Sequence, residues 1–466
     1  MKKIGLFLFT NDLRINDNTL LNQASQIVDE LVCVAVEPVL SHYSSQFAQE
    51  EQYGAPRAAF ISQSISDLAI NLSTLEQTLI VLTQGRDHSD NVKDSLIEMI
   101  SELNVTHLFA NAHCGYDEQK LMQSTLTDCP NLTAIQSHNS PLFELDDFPF
   151  TLEKFPRSFT KFRKLIEPLA IDTQSLTITD LPPAPDLTKM SHCNSKETLF
   201  KIGNVARNHS LKGGETSGLL HLEHYFSQNY ASCYKQTRNA LDGIENSTKF
   251  SPWLALGCVS PKTICRHLTR FESHHGPNDS TYWIYFELLW REYFYWKSMS
   301  LKASLFTGSY TKPVTAENIT QSASLNFAKW KSGNTNYPIV DACMRQLNAT
   351  GYMSNRGRQL AASCLIYELG VDWRHGAAYF ESQLIDYDVA SNWGNWAYIA
   401  GALNSQVNTQ ANKQNDAKQP KPKTKPKSRH FDLGKQTDMY DPDHAFINKW
   451  NASSKEPVLT NNQDVL

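Results

Sequence analysis

The chain contains no long hydrophobic run and no paired cysteine motif, and these absences exclude several classes of protein. No apolar stretch approaches the ~20 residues that a membrane helix requires, so we expect no membrane association. The nine cysteines form no C-x-x-C pair, which argues against a zinc or redox motif and favours a reducing cytoplasm. The opening MKKIGLFLFTNDLR lacks a small-residue cleavage site, and we interpret it as a first strand instead of a signal peptide.

A strong net charge and a nucleotide-binding fingerprint are also lacking. The formal net charge is −5, so any nucleic-acid site has to be a local basic patch. Neither a G-x-G-x-x-G motif nor a Walker lysine follows the first predicted strand, which argues against an ordinary dinucleotide or NTP site there. With 41% hydrophobic and 20% charged residues, the 466-residue chain is long enough for two or three globular domains.

Residues 1–135 alternate between short apolar strands and helical segments. This pattern predicts an open parallel sheet with helices on both faces, a Rossmann-like α/β domain. The predicted strands are residues 4–9, 31–36, 79–82, 105–110 and 132–135. The predicted helices are residues 18–28, 57–72, 92–103 and 118–126.

The rest of the chain divides into four predicted parts. Residues 136–195 have spaced prolines and no sustained periodicity, which predicts a long connector on the surface with one short helix near residues 159–166. Residues 196–404 have long helical patterns and predict an all-α domain. Residues 405–428 are rich in lysine and proline and predict a disordered insertion, with nucleic-acid contact as the alternative. Residues 429–466 are then expected to complete the helical domain.

Residues 341–396 combine helical apolar spacing with polar side chains that are seldom buried without partners. These polar residues are Asn355, Arg356, Arg358, Asp386, Asp388 and Asn392. Helices of this kind face solvent or surround a large polar ligand, and the adjacent Trp393 and Trp396 favour the ligand. From spacing alone, the alternative is an ordinary ion pair between Arg358 and Asp386 beside tryptophans of the core.

The segments MSNRGRQ and DYDVASNWGNW in this stretch resemble the flavin-binding region of the photolyase/cryptochrome family, and in particular its cryptochrome DASH branch. Residues 234–239, 247–257 and 429–436 resemble further motifs of the same family. The resemblance extends, with short breaks, from about Ile4 to Trp450. It implies an α/β domain followed by an all-α domain that binds FAD.

The resemblance also implies the residues that contact FAD. The matching positions are Tyr234, Ser247, Thr248, Lys249, Phe250, Ser251, Glu287, Trp290, Arg291, Asn355, Arg358, Asp386, Tyr387, Asp388 and Asn392. Asn392 matches the residue that faces flavin N5, where a neutral amide suits a reduced flavin. Hydroxyls beside Lys249, just before an apolar helix, are suitable donors for a pyrophosphate, although serine and threonine also cap helices with nothing bound.

The implied reaction is light-driven repair of cyclobutane pyrimidine dimers by electron transfer from excited, reduced FAD. The positions that match catalytic residues are Glu287, Trp290, Asn355 and Asn392. Residues 354–358 contain no histidine, which counts against repair of (6-4) photoproducts. In the DASH branch, changes at the positions of Gln359 and Tyr398 are associated with a preference for single-stranded DNA. We predict a basic track on the helical domain that binds the phosphates of the strand, and the residues proposed for it are Arg291, Lys297, Arg345 and Arg356. The strand is expected to be DNA, with RNA as the alternative.

An electron-transfer chain of tryptophans is implied by Trp396 and Trp373, but its outermost member falls on Thr320. Threonine cannot be oxidised at a comparable potential. The alternatives are substitution by Trp330, Tyr310 or another aromatic residue, and impaired photoreduction from the surface.

Residues 111–118 follow the fourth predicted strand, where the family can contact an antenna pigment, often a folate such as methenyltetrahydrofolate; a plain strand-to-helix loop is the alternative. Two other functions compete with repair: a blue-light photoreceptor, and a nucleic-acid-binding regulator in which FAD is structural. We expect a cytoplasmic monomer without a metal site.

Overall fold

A five-stranded parallel sheet forms the amino-terminal domain. The computed structural model describes residues 2–83, 92–190, 211–307, 319–403 and 429–452. The strands are β1 (Ile4–Phe9), β2 (Glu30–Val36), β3 (Leu79–Leu82), β4 (His107–Asn111) and β5 (Thr133–Ser137). They pair in the order β3-β2-β1-β4-β5, so the direction of strand addition reverses between β1 and β4. Every strand overlaps its prediction to within two residues at each end.

The helices of this domain cover both faces of the sheet, as expected for parallel strands. They are α1 (Thr19–Ile27), α2 (His42–Ala48), α3 (Ala55–Ser73), α4 (Val92–Glu102) and α5 (Tyr116–Asp128). Helix α2 was not predicted, because its sequence HYSSQFA is short and polar. It forms because Ser41 caps its first turn and because Phe47 and Ala48 are buried beneath it. Strand β5 is an exposed edge strand, whereas the other four strands are mostly buried.

The connector contains α6 (Phe159–Ile166), at the predicted position, and short 3₁₀ turns at Leu145–Asp147, Leu152–Lys154 and Leu187–Lys189. It does not simply cover the surface, because phenylalanines along it are buried against the helical domain. Those rings belong to Phe148, Phe155, Phe159 and Phe162, and they contact Tyr293 or Trp296. The domain boundary predicted near residue 196 lies outside the described residues.

The second domain is helical throughout its described part. Its helices are α7 (Glu215–Ser227), α8 (Tyr234–Thr237), α9 (Ser251–Ala255), α10 (Pro261–His275), α11 (Asp279–Leu301), α12 (Ser304–Thr307), α13 (Gln321–Ser332), α14 (Pro338–Thr350), α15 (Asn355–Ser363), α16 (Trp373–Gln383), α17 (Val389–Ile399), α18 (Leu433–Tyr440) and α19 (Ala445–Ala452). A 3₁₀ turn at Tyr230–Cys233 precedes α8, and a π turn at Cys364–Glu368 extends α15. Helix α19 packs against α14, so the segment after residue 429 joins this domain. None of the described helices is long and apolar enough to cross a membrane.

A buried polar junction fixes the two domains against each other. The guanidinium of Arg14, which is 2% exposed, donates to the carbonyl oxygens of Gly257 and Asn139 at 3.0 and 2.8 Å. The carboxylate of Glu215 accepts the backbone N–H groups of Ile15 and Asn16, both at 2.9 Å. Gly257 has a φ of +67°, and a Cβ there would lie 2.0 Å from a carbonyl oxygen of the other domain. Only glycine permits this approach, which positions the loop after β1 over the helical domain.

Glu292, on α11, lies in the core beneath the connector. Its Oε1 accepts the backbone N–H of Leu142 at 2.6 Å, and its Oε2 accepts the indole N–H of Trp296 at 3.1 Å. Burial raises the pKa of Glu292 to about 7, against the smaller lowering effect of these hydrogen bonds. The carboxyl is therefore favoured in its protonated form in the folded chain, relative to the unfolded chain.

We expect Glu292→Gln to flatten the dependence of thermal stability on pH. The stability associated with protonated Glu292 is complete below the unfolded-state pKa and is lost as the pH rises through about 7. This loss is at most about 3 kcal/mol. Glutamine cannot accept at both positions, so the variant should melt lower at about pH 5, and the difference should narrow toward about pH 8. A difference in melting temperature that stays constant over this range would contradict the prediction.

Candidate active site

A cavity of about 580 Å³ opens among α8, α9, α11, α15, α16 and α17; we call it the first cavity. Its volume lies within the range of about 300–1,000 Å³ that is typical of ligand pockets. Most of the predicted site residues line it together: Tyr234, Ser247, Thr248, Lys249, Phe250, Ser251, Glu287, Trp290, Arg291, Asn355, Arg358, Gln359, Asp386, Tyr387, Asp388, Asn392, Trp396 and Tyr398. The structure thus brings side chains from five separate stretches of the sequence to one place: residue 234 and residues 247–251, 287–291, 355–359 and 386–398.

The ion pair between Arg358 and Asp386 lies in the wall of this cavity. Nη2 of Arg358 contacts both carboxylate oxygens of Asp386, at 2.9 and 2.7 Å, and the Ser251 hydroxyl donates to the same carboxylate at 2.6 Å. The Asp386 side chain is 2% exposed, whereas that of Arg358 is 26% exposed toward the cavity. Burial alone would lower the pKa of Arg358, but the Asp386 carboxylate outweighs this effect and raises it. A permanent positive charge therefore faces the cavity.

The loop before α9 presents polar groups to the cavity in a strained conformation. Lys249 has a φ of +52°, which costs a non-glycine residue roughly 1–3 kcal/mol. Its ammonium lies 4.6 Å above the ring of Tyr352, and His221 holds the loop by donating Nε2–H to the carbonyl of Thr248 at 2.8 Å. The result is a set of hydroxyl, ammonium and backbone donors suited to an anionic group such as a pyrophosphate.

Asn392, on α17, is oriented by a single backbone contact. Its Nδ2 donates to the carbonyl oxygen of Ala377 on α16 at 2.9 Å. This bond uses the donor side of the amide, so the Oδ1 acceptor remains available to a ligand N–H. The position is compatible with the expected place of Asn392 beside flavin N5.

At the mouth of the cavity, Glu287 and Trp290 present one acid and one flat ring on the same face of α11. The Trp290 ring stacks on Phe159 with centroids 3.7 Å apart and an angle of 11° between the planes. Burial raises the pKa of Glu287, and the neighbouring Arg238 lowers it by less, so the net direction is upward. A ring fixed from behind and an acid of raised pKa are suited to a planar heterocycle with hydrogen-bonding edges.

Two arginines at the mouth were missed by the sequence analysis. Arg238 donates to Glu287 and lies 4.6 Å above the Trp283 ring, and Arg429 lies 3.7 Å above the Tyr398 ring. Both occur inside segments that resemble family motifs, and that position was the available signal. Their pairing with aromatic rings comes from long-range packing, which no local pattern encodes.

The predicted basic track is only partly supported. Lys297 is 4% exposed, its ammonium lies over Phe155 at 5.5 Å, and burial lowers its pKa to about 8; this placement is inconsistent with contact to a strand. Arg345 lies outside the cavity and contacts Asn451. Helical spacing located these residues on helices but could not show which helix face is covered.

Of the other two candidates, Arg291 donates to the carbonyl of Ser140 at 2.7 Å and faces the inner part of the cavity instead of the surface. Arg356 lies beside the mouth, where it donates to Asn239 at 3.2 Å and covers the Tyr440 ring at 4.6 Å. Among the four predicted residues, Arg356 is therefore the one placed near the path of a strand. The lysine-rich insertion lies outside the described residues.

The predicted electron-transfer residues Trp396 and Trp373 are both buried, and Trp396 lines the cavity next to Asn392. Thr320 is exposed at the start of α13, where it caps the helix by accepting the N–H of Ala323. Trp330, on the same helix, lies 6.1 Å from Trp396 between ring centroids. The alternative residue Tyr310 lies outside the described residues.

A second cavity of about 620 Å³ lies where the carboxyl ends of β1 and β4 meet. This is the point at which the strand order reverses, the usual ligand site of an open α/β sheet. Within it, Nδ1 of His113 lies 3.4 Å from Oε2 of Glu118. Burial alone would lower the pKa of His113, but Glu118 raises it above the usual value. Ala255, Tyr387 and Asp388 line both cavities, so a single layer of residues separates them.

Comparison with known proteins gives consistent matches along the chain. Residues 5–185 match the family model described as DNA photolyase, and residues 283–457 match the FAD binding domain of DNA photolyase. The cryptochrome DASH of Vibrio parahaemolyticus is 46% identical over 96% of this chain and 93% of the relative, and that of Idiomarina loihiensis is 43% identical over 96% and 92%. The crystal structure of a Synechocystis cryptochrome superposes with a TM-score of 0.76 at 33% identity, covering 97% of this chain and 89% of that one.

The residues present fit FAD. The strained loop at residues 247–251 provides donors for the pyrophosphate, while Arg358 and the free Oδ1 of Asn392 provide a donor and an acceptor for a flavin ring. Within the described ranges, no cluster of three or more His, Cys, Asp or Glu side chains is arranged to hold a metal ion.

We expect Asp386→Asn to reduce both FAD content and melting temperature. The substitution leaves the charge of Arg358 without its partner in the cavity wall, and breaking a buried pair in this way costs about 3 kcal/mol or more. Flavin absorbance per polypeptide and a thermal melt measure the two effects. The control is Asp279→Asn, which breaks the exposed pair with Lys235 and should leave both quantities unchanged. Equal flavin content in the two variants would contradict the role of Asp386.

Proposed function

Because the chain belongs to the photolyase/cryptochrome family and to its cryptochrome DASH branch, we propose that it repairs cyclobutane pyrimidine dimers in single-stranded DNA in a light-driven reaction. One observation carries the proposal. Residues suited to FAD and residues suited to a dimer of adjacent pyrimidines line the same cavity; Asp386 and Asn392 are buried, whereas Glu287 and Trp290 are half-buried and Asn355 is exposed. A lesion that enters the mouth therefore meets the cofactor directly.

When bound, reduced FAD would supply the photochemistry, donating one electron to the cyclobutane ring and recovering it after the ring opens. The protein binds the lesion, orients it and excludes water. Glu287 hydrogen-bonds the edge of a pyrimidine, and its raised pKa allows it to donate as well as accept. Trp290, held flat by Phe159, supports the ring of the dimer. Asn355 and Gln359, one helical turn apart on α15, supply amide groups on the opposite side.

The preference for single strands is supported by the polarity of the mouth. Gln359 and Tyr398 line it where an apolar wedge would be needed to replace an extruded base in a duplex. An already unstacked base avoids the extrusion energy, which is a few kcal/mol. Arg238, Arg356 and Arg429 surround the mouth and are suited to the phosphates of the strand.

A repair assay tests this function. The purified protein with reduced FAD is incubated with an oligonucleotide that contains one dimer, as a single strand or in a duplex, in light or in darkness. We expect ring opening only in light and faster on the single strand. Absence of repair on both substrates in light, with FAD fully bound, would overturn the proposal and favour the photoreceptor alternative. An RNA oligonucleotide with the same lesion shows whether the 2′-hydroxyl is tolerated.

We expect Glu287→Ala to reduce discrimination between dimer-containing and undamaged single strands by about 1–3 kcal/mol, because a base edge loses its partner. Binding of undamaged strand depends mainly on phosphates and should not weaken. Fluorescence titrations with the two strands measure the ratio, and Glu223→Ala, on the exposed surface of α7, is the matched control. An equal loss of affinity for both strands would remove Glu287 from the lesion site.

The second cavity is proposed to hold an antenna pigment of the folate type, such as methenyltetrahydrofolate. Its position at the switch point of the sheet, its size and the Glu118 carboxylate in its lining support a planar heterocycle with N–H donors. The shared wall with the first cavity supports transfer of excitation energy between the two proposed pigments.

Replacing Glu118 with Ala should weaken folate binding by roughly 1.5–3 kcal/mol, the value of a hydrogen bond to a charged group. FAD content should be unchanged, since Glu118 does not line the first cavity. Absorbance spectra after reconstitution with the folate separate the two pigments, with the exposed Glu98→Ala as control. Retention of the folate by the Glu118 variant would place the pigment elsewhere.

The same proposal has the protein act as a monomer in the cytoplasm. The cytoplasmic location is supported by the eight cysteines of the described ranges, all of which are free, as in a reducing compartment. Size-exclusion chromatography with light scattering tests the oligomeric state.

A further inference from the structure

Within the described residues, two routes built from tryptophan and tyrosine rings lead away from Trp396, and neither passes through Thr320. On the first route, the ring of Trp330 lies 6.1 Å from Trp396, and the ring of Tyr379 lies 5.8 Å from Trp330. The Tyr379 hydroxyl donates to Asn348 at 2.8 Å, and because Asn348 is exposed, this route ends at the surface. Rates of electron transfer fall steeply with distance, so closely spaced rings define where an electron vacancy can move.

The second route runs along α16 toward the second cavity. Gly376 allows the Trp396 ring to lie directly on this helix, since a Cβ there would be 2.2 Å from Cη2 of Trp396. Trp373 is three residues earlier on the same face of α16. Its ring lies 5.8 Å from that of Trp393, which lines the second cavity.

The two routes differ in what can accept a proton. An oxidised indole is a strong acid, and loss of its proton traps the vacancy as a neutral radical. On the first route, the N–H of Trp330 donates to the carbonyl of Ala361 at 2.9 Å, and a carbonyl cannot take the proton. The ammonium of Lys331 lies 5.4 Å from the ring centroid of Tyr379, but it is paired with Glu50 at 2.8 Å. Among the described residues, neither Trp330 nor Tyr379 donates its proton to a carboxylate, so the first route has no built-in proton acceptor of that kind.

On the second route, a carboxylate is in place. The N–H of Trp393 is directed to Oε2 of Glu381 at 3.3 Å and to the hydroxyl of Tyr387 at 3.2 Å. That hydroxyl itself donates to Glu381 at 2.8 Å, so a direct and a relayed path reach the same oxygen. Arg57, 4.6 Å above the Tyr387 ring, lowers the pKa of Glu381 by less than burial raises it. Burial raises the pKa of Glu381, which makes its carboxylate a stronger base than one in water.

We propose that Trp393 is the terminal electron donor for light-driven reduction of the flavin, with Glu381 as the acceptor of its indole proton. One electron passes from Trp393 through Trp373 and Trp396 to the excited oxidised flavin. The Nε1–H bond of Trp393 breaks, and the proton goes to Oε2 of Glu381. The products on this chain are a neutral indole radical and a neutral carboxylic acid. A thiol that enters the second cavity while no pigment occupies it gives one electron to Trp393 and its own proton to water, becoming a thiyl radical, and Glu381 returns its proton to the indole nitrogen.

This inference rests on FAD in the first cavity and not on dimer repair. Its test reads a radical on the polypeptide, so it can fail while repair succeeds, and the reverse. The protein with bound oxidised flavin is illuminated without added thiol, and the tryptophan radical is followed by transient absorption and electron paramagnetic resonance. The variants are Trp393→Phe, Glu381→Gln and Trp330→Phe. Trp296→Phe is the matched control, because its N–H also donates to a buried carboxylate but its ring lies off both routes.

We expect a long-lived neutral radical in the unmodified protein and in the Trp330 and Trp296 variants. Trp393→Phe should abolish the neutral radical and shorten the lifetime of charge separation several-fold. Glu381→Gln should leave a cationic tryptophan radical that decays faster and shows no slowing of proton loss in D₂O. If Trp393→Phe no longer binds flavin, the spectrum of Glu381→Gln decides the question. Loss of the radical in Trp330→Phe, or an unchanged neutral radical in both the Trp393 and Glu381 variants, would overturn the proposal.

Discussion

The contact between Arg358 and Asp386 is the interaction on which the active site depends. It joins α15 to the segment before α17, and the Ser251 hydroxyl adds α9 to the same carboxylate. Three segments far apart in sequence are thereby held around one cavity. Two buried charges stabilise a fold only weakly by themselves, because their desolvation nearly cancels their attraction. What the pair provides is a defined geometry and a positive charge that faces the bound ligand.

The fold was largely predictable because its signals are local. Parallel strands that are buried on both faces appear as apolar runs, and four of the five strands follow this rule. Strand β5 is recognisable by its position after α5, although its side chains are exposed. Helix α2 was not predicted because its stability comes from contact with α16, almost 330 residues later, and not from its own sequence. The α/β domain and the helical domain that follows it are confirmed.

The residues of the site were predictable only where the resemblance assigned a family position to a residue of this chain. The match placed Asp386 and Asn392 on one surface, which helical spacing alone does not do. It could not show that Lys297 is covered by Phe155, nor that Arg238 and Arg429 rest on aromatic rings, since these contacts depend on packing between distant helices. The roles assigned to the individual residues of the cavity stay predictions, as do the domain limits.

The wall that both cavities share has a thermodynamic consequence. Tyr387 and Asp388 form part of each lining, so a ligand in either cavity meets the same two residues. By linkage, a change in these residues that one ligand favours alters the affinity for the other ligand, and the reciprocal effect has the same size. With both cavities occupied as proposed, retention of the flavin would depend on the supply of the antenna pigment.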